Sequence, residues 1–212
     1  MLLLKTERLP EGADLLYELK LDGYRAIAYK TGGKVYLRSR NDNDFALRYP
    51  SLVTALKGMP DETVLDGEVV AVDAEGKPSF GLLQNYSSTR APLLFYVFDV
   101  TILSGKDVMH EPLDARRALQ ETKVLPKVKE PIRYSAALHA SLPELMESVK
   151  AHGFEGLVGK RRSSIYEPGR RSGAWMKMRV NQGQEFVIGG YTRGRATFDA
   201  LVFGYYEDGK RR

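Results

Sequence analysis

The run "PLLFYVFDVTIL", Pro92 to Leu103, is the strongest constraint on the fold. It is almost continuously apolar and rich in aromatic and β-branched residues, which fit a pleated surface better than a helix. A strand that is apolar on both faces belongs in the middle of a sheet with layers packed on either side. The chain has 212 residues and 43% hydrophobic content, enough for one sizeable domain, or one domain and a fragment of a second.

Strand and turn signals recur along the rest of the chain. "TGGK" (Thr31 to Lys34) divides two alternating runs, Arg25 to Tyr29 and Val35 to Arg40, and reads as a hairpin. "TVLDGEVVAVDAEGK" gives a further strand and turn, and "FEGLVGK" and "WMKMRV" two more. Helices are fewer. "SLPELMESVKAHG" carries Leu142, Leu145, Met146 and Val149 at helical spacing, with a Ser141–Glu144 capping box and Gly153 as the stop. "LDARRALQET" and the shorter "YPSLVTALKG" are the other two, so the whole reads as an α+β domain dominated by antiparallel strands. Beyond Val180, "NQGQEFVIGGYTRG" and "ALVFGYYEDGKRR" read as two strands of a second, small β domain, because two strands alone cannot bury a core.

Composition narrows the chemistry. No apolar run reaches the ~20 residues that would span a bilayer, and the opening "MLLLKTERLP" turns charged too soon for a secretory signal, so a soluble intracellular protein is expected. Without cysteine, and with His110, His139 and His152 far apart, a metal would be bound by oxygen, which favours magnesium or manganese. Net charge is +5, and from Lys160 to Arg179 seven cations face the single Glu167. Serine, glycine and tyrosine are interleaved with those cations, which fits either a solvated loop or phosphate-backbone contact.

"YELKLDGYRA" places Glu18, Lys20 and Asp22 on one side of a strand read as Leu15 to Asp22, with Tyr17, Leu19 and Leu21 on the other. "WMKMRV" alternates likewise, Lys177 and Arg179 against Met176, Met178 and Val180. Two such charged faces lining one cleft would gather cations and carboxylates around a phosphate, and neighbouring cations would lower the pKa of Lys20 and leave part of it nucleophilic. No glycine-rich Walker loop or dinucleotide fingerprint is present.

Glu18 to Arg25 resembles the E-x-K-x-D-G-x-R signature of the covalent nucleotidyltransferases, which comprise DNA ligases, RNA ligases and messenger-RNA capping enzymes. "LRSRN", "LDGEVVAVD", "FYVFDV", "FEGLVGK" and "WMKMR" follow in the family's order, and the local wording is most similar to bacterial ATP-dependent DNA ligases, including the ligase module of end-joining enzymes. The resemblance implies an antiparallel-sheet nucleotidyltransferase (adenylation) fold of the ATP-grasp-like DNA ligase type over residues 1–182, then the start of a truncated OB-fold domain over 183–212. It implies that Lys20 attacks ATP to form lysyl-AMP, that AMP passes to the 5′-phosphate of a DNA nick, and that the 3′-hydroxyl seals the strand.

By the same resemblance Glu18, Arg25, Glu68, Phe98, Lys160, Lys177 and Arg179 hold the nucleotide. Glu18 would contact the adenine, Glu68 the ribose hydroxyls, and Phe98 would stack on the base. Arg25 and Arg40 would bind DNA phosphate, and Asp22 with Glu155 would support Mg2+ or Mn2+. On residue pattern alone Phe98 could equally pack in a core, and Arg40 could pair with Asp42 or Asp44. Arg179 stands where many ligases carry a second lysine. The implied partner is nicked double-stranded DNA in a bacterial cytoplasm at the nucleoid, with no membrane and with a repair factor or fused repair modules alongside. Because the second domain reads as cut short, slow self-adenylation and poor nick sealing are expected. An RNA ligase, a GTP-using capping enzyme and a non-catalytic nucleic-acid-binding module stay open as alternatives.

Overall fold

The computed structural model describes residues 1–180, 186–194, 197–207 and 210–211. Two compact units result, Met1–Val180 and Asn181–Arg212. The boundary expected between residues 182 and 183 lies outside the described residues.

The first unit runs β1 (Leu4–Lys5), β2 (Leu15–Leu19), β3 (Tyr24–Thr31), β4 (Lys34–Ser39), α1 (Pro50–Leu56), β5 (Thr63–Ala71), α2 (Phe80–Gln84) and α3 (Tyr86–Thr89). It continues with β6 (Leu93–Leu103), β7 (Lys106–Asp107), α4 (Leu113–Leu119), β8 (Ile132–Tyr134), α5 (Leu142–Ala151), β9 (Gly156–Arg161) and β10 (Trp175–Arg179). The strands make two sheets: β4-β3-β5-β6-β7 with β8 beside β6, and β1-β10-β9-β2. Pairing is antiparallel except for β1 with β10 and β6 with β8.

The apolar run at Pro92 is β6, an internal strand paired with β5, β7 and β8. One of its faces, with Phe95 and Val97, joins Ala26, Ala28, Leu65 and Val69 in a core closed by Leu52 and Leu56 of α1. Its other face turns Phe98 toward the second sheet. The β3–β4 hairpin turns on Gly32 and Gly33 at φ 54° and 75°, the left-handed pair that a two-residue hairpin loop of type I′ requires. The second sheet packs Leu15, Tyr17, Leu157 and Met178 on Leu142, Leu145 and Val149 of α5. The capping box that starts α5 is formed as expected: Ser141 N–H and Oγ both donate to Glu144, at 2.9 and 2.7 Å. The short α2 and α3 were not legible in the sequence.

One expectation needs correction. The strand from Leu15 ends at Leu19, not Asp22. Lys20 N–H still donates to Gly156 C=O at 2.9 Å, but the chain then leaves the sheet, and Leu21 packs beside Val70, Val72 and Leu94 of the other one. Gly23 makes that departure possible, since a Cβ there would lie 2.2 Å from the Val69 carbonyl oxygen. The charged side of β2 is buried at Glu18, 3% exposed, as is its partner Lys160 at 2%.

In the second unit β11 (Val187–Arg193) pairs with β12 (Phe198–Gly204), and β13 (Tyr206–Glu207) with β14 (Lys210–Arg211), all antiparallel. Residues 181–185, which open the first expected strand region, lie outside the described residues.

Candidate active site

Alternation along β2, β9 and β10 sends Glu18, Lys160, Trp175 and Lys177 to the face turned away from α5. Alternation along β3, β5 and β6 sends Arg25, Glu68 and Phe98 to the face turned away from α1. Together with Lys20, Arg40, Ser135 and Arg171 they line one cleft of about 210 Å³. The two charged faces expected from the sequence do meet.

At one end of the cleft Lys20 Nζ donates to Glu155 Oε2 at 2.5 Å, and Arg179 Nε lies 2.9 Å from Glu155 Oε1. The amine's direct partner is therefore a carboxylate, one of the mixed cations and carboxylates that the two charged faces were expected to gather. Arg179 explains the departure from a second lysine: it keeps a cation there and fixes Glu155 from the opposite side. Burial, followed by the charges of Lys20 and Arg179, lowers the pKa of Lys177. Asp22 is exposed. Its carboxyl is raised by burial and by the charge of Glu155, against Lys20 and Arg179.

The opposite wall is built on Asp66. Arg25 Nε donates to Asp66 Oδ1 at 2.9 Å, Arg25 reaches Oδ2 with its other nitrogen, and Tyr166 Oη donates to Oδ2 at 2.7 Å. Phe98 is half-buried, edge-on to Trp175 at 6.1 Å, with Lys160 Nζ 4.7 Å from its ring centroid and Arg25 5.6 Å. The ring both lines the cleft and packs against the small cluster of Met1, Leu113, Tyr166 and Trp175. Arg40 has no carboxylate partner among the described residues, and Arg38 lies nearest to both neighbouring acids, Asp42 at 3.9 Å and Asp44 at 4.0 Å.

Several residues of the site were missed in the sequence. Arg117 and Ser135 bind Glu18, Trp175 covers Lys160, and Asp66 and Tyr166 hold Arg25. One signal was available: Leu113, Arg116, Arg117 and Gln120 occupy i, i+3, i+4 and i+7 of the helix stripe that should face the core, and all are buried. Arginines there need buried partners.

Residues 5–179 match the family described as the ATP dependent DNA ligase domain. The chain belongs to that family. It is 39% identical over 209 residues to the multifunctional non-homologous end joining protein LigD of Pseudomonas aeruginosa, covering 96% of this chain and 25% of that protein. With LigD of Mycolicibacterium smegmatis identity is 36% over 200 residues, covering 89% and 25%. The chain thus spans about a quarter of the length of these curated relatives. Among solved structures, a mycobacterial DNA ligase D complexed with ATP and MES matches with TM-score 0.74 at 31% identity, covering 96% of this chain and 67% of that one. The α+β architecture with largely antiparallel sheets is thereby that of the ATP-dependent DNA ligases.

The basic run of this ligase-family domain is not the open stripe its local sequence suggests. Lys160 is bound to Glu18, Arg161 to Asp14 at 3.1 Å, Arg162 to Asp114 at 3.2 Å, and Arg179 to Glu155. Those carboxylates lie outside the run, Glu155 just before it and Asp14, Glu18 and Asp114 far back along the chain, so a count within the run could not include them. Arg170, Arg171 and Lys177 have no carboxylate partner among the described residues.

Glu68 is half-buried and makes no ion pair among the described residues; burial, ahead of the opposing charges of Lys20 and Arg25, pushes its carboxyl up to about 8. A carboxyl raised on folding binds its proton more tightly in the native state, so stability falls as pH rises from the unfolded value near 4.5 to about 8. Glu68→Gln removes that loss. At pH 8.5 the variant is expected to be about 1–2 kcal/mol more stable than the parent, less than full linkage would give because water reaches the group, with no gain at pH 4.5. Urea denaturation at the two pH values checks this, and an equal difference at both would contradict it.

Proposed function

We propose that this domain is the adenylation module of an ATP-dependent DNA ligase acting in end joining. The observation that carries the reading is the convergence of Lys20, Glu155, Lys177 and Arg179 at one end of a cleft whose other wall offers Phe98, Glu68 and Arg25. In the reaction, Lys20 Nζ gives up a proton, for which Glu155 is the adjacent acceptor, and forms a bond to the α-phosphorus of ATP as the bond to pyrophosphate breaks. Lys177 offsets the charge on the α-phosphate. AMP then passes to the 5′-phosphate of a nick, and attack by the 3′-hydroxyl releases it and closes the strand. Phe98 supplies a face for the base, Glu68 faces the ribose, and Arg25 and Arg40 face the nick phosphate.

Asp22 and Glu155 fit a magnesium or manganese ion. Two neighbouring carboxylates with phosphate oxygens beside them are a common magnesium donor set, and among the described residues no group of three acidic or histidine side chains offers a fuller cage. Burial first, and then the charge of Glu155, raise the Asp22 carboxyl, and a divalent cation beside the two would offset that like charge. When bound, the ion screens charge on the phosphates.

Transfer to DNA tests the reading. After removal of free ATP, the adenylated domain mixed with a 5′-phosphorylated nicked duplex is expected to yield the adenylated DNA strand; label that moves only to RNA ends, or not at all, overturns it. Binding to the duplex should be salt-sensitive with little sequence preference. Losing Arg40, Arg170 or Arg171 should each lower the log–log salt slope by about 1. Losing Arg161 or Arg162, already paired with carboxylates, should leave that slope unchanged, and a drop equal to that of the free arginines would contradict the assignment.

A further inference from the structure

Past the catalytic cleft, the same face of the first sheet stays half-open. Alternation along β3 puts Ile27 and Tyr29 on the face of Arg25, and the register sets Tyr36 of β4, Val64 of β5 and Ile102 of β6 in one row with Tyr29. All five are half-buried, and none is among the side chains that build or pack on the apolar cores. The Tyr29 and Tyr36 rings lie 4.8 Å apart and 11° from parallel. β4 is an edge strand, and its positions on this face read Lys34, Tyr36 and Arg38, with Arg40 following at the cleft. Lys34 is exposed and makes no ion pair among the described residues. Arg38, 34% exposed, reaches Asp42 and Asp44 only at 3.9 and 4.0 Å.

We infer that this face is a track for an unpaired DNA strand leaving the cleft, its bases stacked on Tyr36 and Tyr29 and its phosphates held by Lys34 and Arg38. Charge selects the class of partner. The centres of protein interfaces are depleted in charged residues, whereas here cations alternate with an aromatic ring along one strand, which suits a polyanion. The rings select the unpaired form. In a duplex each base face is covered by the next pair, so a duplex offers this surface only phosphates, while a single strand offers phosphates and open base faces together. Stacking on a ring tolerates any base, so the track needs no sequence preference. Same-face positions along a strand are about 6.8 Å apart, which puts Tyr29 about 14 Å from Arg25, within a few nucleotides of a strand end held in the cleft. This inference rests on the proposed use of DNA and adds a site for the overhang of a broken end.

The test measures fluorescence anisotropy of a labelled single-stranded oligo-dT of about 12 nucleotides, and separately of a blunt nicked duplex, with the parent, Tyr36→Ala, Tyr36→Phe and Lys34→Ala. Tyr36→Ala should weaken oligo-dT binding by about 10-fold and Tyr36→Phe by less than about 2-fold, because the ring and not the hydroxyl does the stacking. Lys34→Ala should lower the log–log salt slope for oligo-dT by about 0.7; its side chain is exposed, so it covers the case in which Tyr36→Ala fails to fold. Binding of the blunt nicked duplex should stay within about 2-fold of the parent's in all three. Oligo-dT affinity unchanged in Tyr36→Ala, or duplex binding weakened as much as oligo-dT binding, would overturn the inference. So would a parent dimer that Tyr36→Ala dissociates, which would make this face a contact between copies of the chain. Oligo-dT results as stated, in a domain that never passes adenylate to nicked DNA, would overturn the proposed ligase step and leave the track standing.

Discussion

Lys20→Arg is expected to eliminate transfer of labelled nucleotide from ATP to the protein, by at least about 10⁴-fold, while leaving thermal stability close to that of the parent. Arginine can keep the ion pair with Glu155 but cannot deprotonate to become a nucleophile at ordinary pH. Lys20→Ala should be equally inactive, and it additionally leaves Glu155, 18% exposed, with Arg179 alone. The pair of variants separates chemistry from structure: both lose labelling, and only the alanine disturbs the carboxylate. Labelling assays with denaturation curves on the same preparations read both effects. Residual labelling above about 1% in the arginine variant would place the reacting group elsewhere.

The second large effect concerns stability. Asp99 and Arg116 are both fully buried, and Arg116 donates to both Asp99 oxygens at 2.8 and 2.7 Å. Its remaining nitrogen donates to the Glu111 and Ser164 carbonyls at 2.6 and 2.9 Å. Asp99→Ala strands a guanidinium that cannot lose its proton and is expected to cost about 3–5 kcal/mol at any pH between 5 and 8. Arg116→Met behaves differently. Burial already pushes the Asp99 carboxyl up, with Arg116 opposing, so without the arginine it takes a proton in the folded state. A carboxyl raised on folding loses stability as pH rises, so the cost of Arg116→Met should grow from pH 5 to pH 8. Guanidinium denaturation across that range distinguishes the two, and a flat cost for Arg116→Met would contradict it.

What the sequence made legible follows from how local each signal is. Lys20 and Lys177 were found because strand alternation and short motifs carry them, and the Gly32–Gly33 turn because two adjacent left-handed residues have few other uses. Phe98 could be placed on a strand, but whether its ring faced core or cleft depended on the second sheet. Glu18 was assigned to the base, yet its donors lie 99 and 142 positions away at Arg117 and Lys160. No local pattern contains that pairing. Which cations of the basic run are paired was hidden for the same reason, since Asp14, Asp114, Glu18 and Glu155 lie outside it and reach it through the fold. Arg40 shows the converse: two acids within four residues suggested a pair, and the hairpin gave both to Arg38. The end of β2 at Leu19 goes with the close approach of Gly23, at the entry to β3, to the Val69 carbonyl of the neighbouring β5, a pairing far away in sequence.

Mass spectrometry of the purified protein, before and after incubation with ATP and magnesium, followed by peptide mapping, bears most directly on the covalent step. The expected result is a mass increase of a single adenylate, carried on Lys20 and removed when pyrophosphate is added back. An adduct on any other residue, or an unchanged mass after prolonged incubation, would contradict the assignment of Lys20 as the nucleotide carrier.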